Sequence, residues 1–170
     1  MKKITSLLFC WLIVSCSMTE NGMVAGTPDY EGRDIEVNNL DLQVLLRANA
    51  MLPSEDHWSK DSSLKCADLP RHETSHGVDG YDLMGSKLSL YCALHLSSIE
   101  TIGTYVHRLP ALQEVRFTIA DRYPKRWKVH RLADFNAHPK TTFTDVKQVL
   151  AVTIARVKQK IQTQKQNKTQ

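Results

Sequence analysis

The stretch TFTDVKQVLAVTIARVKQKI, residues 142–161, carries the most regular pattern in the chain. Phe143, Val146, Leu150, Ile154, Val157 and Ile161 recur at steps of three and four, which sets them on one face of an α-helix. Thr142 stands where an N-cap hydroxyl is needed, and Asp145, three residues on, is its capping-box partner. An apolar face of this length has to be buried against other elements, so it points to a small, single-domain, mainly α-helical protein. Past Ile161 the chain is Gln, Thr, Lys and Asn only, and 162–170 is expected to be a disordered tail.

Working back from that helix, Phe135-Asn136-Ala137-His138-Pro139 reads as a turn. Before it, two patterns compete. Pro110 suits a helix start, and Leu112, Val115, Ile119 and Tyr123 form a helical stripe. Yet Val115, Phe117 and Ile119 also alternate with Arg116 and Thr118, and Trp127 and Val129 alternate with Lys128 and His130, so a β-hairpin around 114–131 is the alternative. The helical flanks favour helix. A further helix is expected over Tyr81 to His107, where Leu88, Cys92, His95, Ile99, Ile102 and Val106 follow helical spacing, with Gly85 and Gly103 as limits or kinks. The first helix is expected from Asn39 to Leu52, on Leu42, Leu45, Leu46, Asn49 and Leu52, ended by Pro53. Ser54 to His76 between them is polar and irregular. Ser17 to Asn38, with Gly22, Gly26, Pro28 and Gly32 among acids, reads as a tether that could extend on the order of 70 Å. The domain proper is thus 39–161.

The N-terminus has a different logic. Lys2 and Lys3 precede an apolar run from Ile4 to Val14, then Ser15 and Cys16. As a helix, residues 4–15 would cover about 18 Å against a hydrocarbon core of about 30 Å, too short to span but suited to a signal segment, which is taken as 1–15. Ile13-Val14-Ser15-Cys16 resembles the lipobox of bacterial membrane lipoproteins. The resemblance covers only this targeting segment. It implies that residues before Cys16 are removed, that Cys16 carries a thioether-linked diacylglycerol and an N-acyl chain such as palmitate, and that residues 16–38 leash the domain to a membrane. Ser17 after the cysteine resembles the pattern sent to the outer membrane, facing the periplasm in a Gram-negative cell envelope; a Gram-positive surface is the other option.

In such an oxidising compartment the two remaining cysteines, Cys66 and Cys92, are most simply one disulfide. It would close a loop of about 27 residues, contributing about 3 kcal/mol through loop entropy. Metal-ligating or redox thiols are the alternative, without a C-x-x-C spacing to favour them.

Charge is divided along the chain. Residues 17–100 hold 14 Asp and Glu against 6 Lys and Arg, whereas 101–170 hold 4 against 14. The basic residues gather as Lys125, Arg126, Lys128, His130 and Arg131 around Trp127, and again as Arg156, Lys158, Lys160, Lys165 and Lys168. A face of this kind suits an anionic envelope component or an acidic protein. The plainer alternative is that the halves attract one another, or that these are solvated helix faces. Nucleic acid is not expected outside the cell.

Three motifs bear on chemistry. His72-Glu73-Thr74-Ser75-His76 matches H-E-x-x-H, in which His72 and His76 would hold zinc and Glu73 would activate water. That motif works on a helix, and here Pro70 precedes it, Gly77 and Gly80 follow it, and no apolar residue lies between Leu69 and Val78. Glu100 is the candidate third ligand. Ser62-Ser63-Leu64-Lys65 matches S-x-x-K, but no K-T-G element accompanies it, and no G-x-S-x-G elbow is present. Asp134 and Asn136 beside His130 and His138 suggest capping. The expected function is therefore non-enzymatic: an envelope binding or accessory protein without a cofactor, whose basic C-terminal half, with Arg126, Trp127, Lys128 and Arg131, meets its partner. The rivals are a zinc-dependent hydrolase on His72, Glu73 and His76, and a purely structural envelope component.

Overall fold

Helix α1 (Asn39–Met51) begins where the Asn38 side chain accepts the N–H groups of Leu40 and Asp41, while the Asp41 carboxylate accepts the Asn38 N–H over 2.9 Å. The second oxygen of Asp41 accepts the Ala111 N–H over 3.1 Å, at the start of a later helix. One buried carboxylate so satisfies orphaned N-terminal donors of two helices and ties them together. The computed structural model describes residues 32–62, Cys66, the backbone of Arg71–Glu73 and Asp79–Tyr81, and residues 87–167.

After α1 a short 3-10 turn, Glu55–His57, leads to Trp58, and the chain around it pairs with Leu88: Ser59 N–H donates to the Leu88 carbonyl and Leu88 N–H to that of His57. Strands β1 (Arg71–Glu73) and β2 (Asp79–Tyr81) form a two-stranded antiparallel ladder. Helices α2 (Leu90–Ile102), α3 (Pro110–Arg122), α4 (Arg131–Ala137) and α5 (Phe143–Asn167) follow, making five helices among the described residues. Helix α1 packs on α2 and α5, α3 packs on α5, and α4 lies against α2 and α3. Contacts from Glu114 to Lys160 and from Thr118 to Thr153 show that α3 and α5 run antiparallel. Leu45, Leu94, Leu112, Ile119, Phe135 and Leu150 are fully buried at the centre.

The protein is mainly helical with a disulfide, as expected: Cys66 and Cys92 are bonded, with 5.2 Å between their Cα atoms. Cys92 points inward from α2 and Cys66 is buried against it. The capping box at Thr142 is formed too, with Asp145 accepting from the Thr142 N–H and hydroxyl, and Thr142 Oγ1 accepting the Asp145 N–H.

Several expectations need correction. The helix favoured from Pro110 is present, and it is the alternative β-hairpin around 114–131 that does not form: 114–122 belong to α3. The alternation misleads because the polar positions of α3 are buried and bonded, Glu114 to Lys160, Arg116 to His107 and Thr118 to Thr153. The second helix does not begin at Tyr81, which sits in β2; it begins at Leu90, capped by Ser89 on the Cys92 N–H, and ends at Gly103. Gly103 adopts φ +80°, a left-handed C-cap that favours glycine, and Val106 beyond it is 43% exposed rather than core. The end of the supposed tether is docked: Val37 is buried, and Lys160 donates to the Arg33 carbonyl. Finally, 162–167 continue α5 rather than trailing off. The Gln164 amide, oriented to suit its neighbour, donates to the Val37 carbonyl over 2.7 Å and accepts its N–H over 3.2 Å.

Candidate functional site

Five segments of chain converge on a pocket of about 230 Å³. Tyr91 comes from the first turn of α2, His107 from the α2–α3 loop, Arg116 from the middle of α3, and His130, Arg131, Leu132 and Ala133 from the start of α4. Ser62 completes the lining. The loop reaches the site because Gly103 turns it back along α2: the Tyr105 ring stacks on His95 with centroids 4.3 Å apart and meets Tyr91 edge-on. Burial, with the Tyr91 hydrogen bond behind it, pushes the Tyr105 phenol well above the usual tyrosine range, so it stays protonated and neutral.

Arg116 is the buried base of the site, 2% exposed. One guanidinium nitrogen donates to the His107 carbonyl over 2.8 Å, and the other lies 3.3 and 3.4 Å from the two ring nitrogens of His107. Arg131 lies with its guanidinium 4.8 Å from the centre of the Trp127 ring, a cation–π contact that holds the head group at the pocket edge. His130 is set by Asp134, whose carboxylate accepts the N–H groups of Lys128, Val129 and His130 and is held below the usual aspartate range: burial opposes this, and the three backbone donors outweigh it. The described lining thus holds two guanidinium groups, two imidazoles, a phenol and a hydroxyl, with Leu132 and Ala133 as apolar wall. Guanidinium, imidazole, phenol and hydroxyl groups are all able to donate hydrogen bonds.

Of the residues singled out from sequence, Arg131 lines this pocket and Trp127 supports it. Arg126 does not: it pairs with Asp145 at 2.7 Å and lies over the Tyr123 ring at 4.6 Å, inside the network that starts α5. The Lys128 side chain is exposed, and its backbone N–H donates to Asp134. Two residues of the second basic stretch are paired, Lys160 with Glu114 at 2.5 Å and Arg156 with Asp121 at 2.9 Å. Tyr91, His107 and Arg116 were missed. The legible hint was Arg116, a charge one step from the apolar stripe of α3.

The zinc-hydrolase reading depends on the H-E-x-x-H match at His72-Glu73-Thr74-Ser75-His76. The backbone of Arg71–Glu73 is a strand, whereas zinc ligation by that motif needs a helical turn between the histidines. Thr74, Ser75 and His76 lie outside the described residues, as does Cys16, the residue expected from sequence to be lipidated. Among the described residues no three His, Cys, Asp or Glu side chains are grouped to hold a metal, and no helix is long and apolar enough to cross a membrane. Ser62 Oγ donates to the Ala133 carbonyl and accepts from Asn136 Nδ2, so its bonds pin a loop. What the fold and site define is a small disulfide-linked helical protein with a donor-rich pocket. No family model, curated protein or solved structure matches the chain.

Proposed function

We propose that this chain is a lipid-anchored, non-enzymatic binding protein of a bacterial envelope, held at the membrane through Cys16, and that its pocket receives an anionic group of its partner. The observation that carries the reading is that Arg116, Arg131, His107 and His130, from three segments of the chain, line one pocket. The basic C-terminal half then matters through Arg131 and its Trp127 support, with Lys128 at the surface nearby in sequence; Arg126 serves the fold.

Inorganic phosphate is a suitable probe. Trp127 lies under Arg131, so titrating phosphate at constant ionic strength against intrinsic fluorescence should give a saturable change. An Arg131→Gln variant, folded by circular dichroism, should lose it. A response unchanged by Arg131→Gln, or none at all, removes the pocket as an anion site. For the anchor, Cys16→Ser should release the protein from the membrane fraction, and a variant still acylated and sedimenting with membranes would refute that attachment.

A further inference from the structure

Residues 33–37 belong to no helix or strand, yet they are held against two helices. The Arg33 carbonyl accepts from Lys160 over 2.9 Å, and Lys160 in turn meets the buried Glu114 carboxylate over 2.5 Å. The Arg33 guanidinium pairs with Asp121 at 2.7 Å and lies 5.4 Å from the centre of the Phe117 ring. Four residues on, Val37 is buried, and the Gln164 amide takes both its N–H and its carbonyl. Seen from the helices, α3 and α5 offer a groove shaped for a peptide. Asp121 and Phe117 seat an arginine, an apolar hollow seats a valine, and Lys160 and Gln164 hold the backbone. In such a site the main-chain bonds supply affinity and the side-chain seats supply specificity.

The hold is loose. Open spaces of about 460 and 170 Å³ lie along the segment where it crosses α5, the first lined by Asp34, Ile35 and Thr163 and the second by Val37 and Ile161. Ordering the backbone opposes docking at every residue. Against that stand the buried Val37, three hydrogen bonds and the Arg33 ion pair, whose arginine side chain is 59% exposed and so gains little in water. Helix α1 is not at stake, because its cap is made by Asn38 and Asp41, after the segment ends. We propose that residues 33–37 are a strap that fills this groove in cis and opens while the helices stay folded. Opening frees the groove for an extended peptide of the same chemistry, an arginine followed four residues later by a small apolar side chain. Where Cys16 is the anchor, as read above, opening also adds five residues, about 17 Å of extended chain, to the leash.

The test is run on the full-length chain in detergent micelles and reads only the domain, so its outcome is independent of acylation at Cys16, which the membrane-fraction assay decides. In hydrogen exchange followed by NMR, the Val37 amide should be protected about tenfold to a hundredfold and keep that protection in low urea, whereas the Leu94 and Val149 amides exchange only as urea brings on global unfolding. Gln164→Ala should cut the protection of Val37 several-fold and leave Leu94 as it was. A Val37 amide that exchanges in step with Leu94, or one without protection in the parent, overturns the strap. The groove is probed with the synthetic peptide Gly-Arg-Asp-Ile-Glu-Val-Asn-Asn, residues 32–39, added to an Arg33→Ser/Val37→Ser chain; Arg33→Ser alone, which removes no buried side chain, serves if the double variant does not fold. A cis occupancy of that size at a millimolar effective concentration corresponds to a Kd on the order of 10–100 µM in trans. Amide shifts at Phe117 and Gln164 should saturate in that range, and the parent should bind at least about tenfold more weakly because its own strap competes. A peptide with serine in place of both the arginine and the valine should not bind. No binding to the weakened-strap chain at about 1 mM peptide, or equal binding by the parent, overturns the groove as a peptide site.

Discussion

Asn136 satisfies five partners with one buried amide. Its Oδ1 accepts from Trp58 Nε1 at 2.8 Å and from the Leu90 N–H at 3.0 Å, and its Nδ2 donates to the carbonyls of Ser59 and Lys60 and to Ser62 Oγ. The residue so binds α4 to the start of α2 and to the loop that carries Ser62 into the pocket. Asn136→Ala leaves a buried indole N–H and a helix-terminal N–H without acceptors. At about 1–3 kcal/mol for each of the two stranded donors, the expected loss is about 2–6 kcal/mol, read as a lowered urea midpoint at unchanged slope. Asp145 carries a different liability. Burial would raise its pKa, but the Thr142 backbone N–H, then Arg126 and the Thr142 and Tyr123 hydroxyls, bring it down to about 2 from 3.8. A folded pKa below the unfolded one stabilises the protein above the unfolded value, and the benefit disappears as pH falls through the folded one. The difference corresponds to about 2 kcal/mol. Asp145→Asn should therefore be about 2 kcal/mol less stable than the parent at pH 7, the gap closing between about pH 5 and pH 2 in urea titrations. A gap independent of pH would show that geometry, not ionisation, is what the carboxylate contributes.

At the scale of elements, legibility in sequence followed how much of each signal was local. Helix α5 was readable because its cap and its apolar face are both written within its own residues, and α1 came within a residue of its observed ends for the same reason. The start of α2 was not: Leu88 fits the helical stripe, yet it pairs with Trp58 across thirty positions, and the Ser89 cap is visible only once that bridge is known. In α3, buried Glu114, Arg116 and Thr118 imitate the solvent side of a strand because their partners, Lys160, His107 and Thr153, lie on other segments. The last turns of α5 make the same point from the other direction. A run of Gln, Thr, Lys and Asn has no apolar periodicity, but Gln164 acts on the Val37 backbone almost as a neighbouring strand would, and Lys160 reaches the Arg33 carbonyl. Deleting 162–170 should consequently cost about 1–3 kcal/mol, two hydrogen bonds at about 0.5–1.5 kcal/mol each. It should also raise amide exchange at Val37. Stability and exchange equal to the full chain would mean that these turns only ride on the fold.

Across the whole molecule, the sequence suggested a positive second half, and the fold spends much of that charge internally. Arg126 faces Asp145, Arg156 faces Asp121, Lys160 faces Glu114, and Arg33 from the acidic half joins Asp121 at 2.7 Å. Net charge along the chain was therefore a poor map of the surface, and the residues that remain to define a site are those gathered at the pocket from several segments. The disulfide bears directly on that gathering. Cys66 follows Ser62 by four residues and Cys92 follows Tyr91 by one, so the covalent link joins the loop on one wall of the pocket to the helix on another. Closing a loop of 26 positions should contribute about 3 kcal/mol, mostly by restricting the unfolded chain. Paired Cys66→Ala and Cys92→Ala substitutions should lower the unfolding free energy by about that amount, and reductant should shift the parent but not the variant. Phosphate affinity measured on the folded variant separates two roles. If the bridge also fixes the pocket walls, the affinity falls several-fold at temperatures where circular dichroism shows the helices intact. If affinity is unchanged there, the bridge acts on stability alone, and the hydrogen bonds of Asn136 suffice to place Ser62 opposite Tyr91.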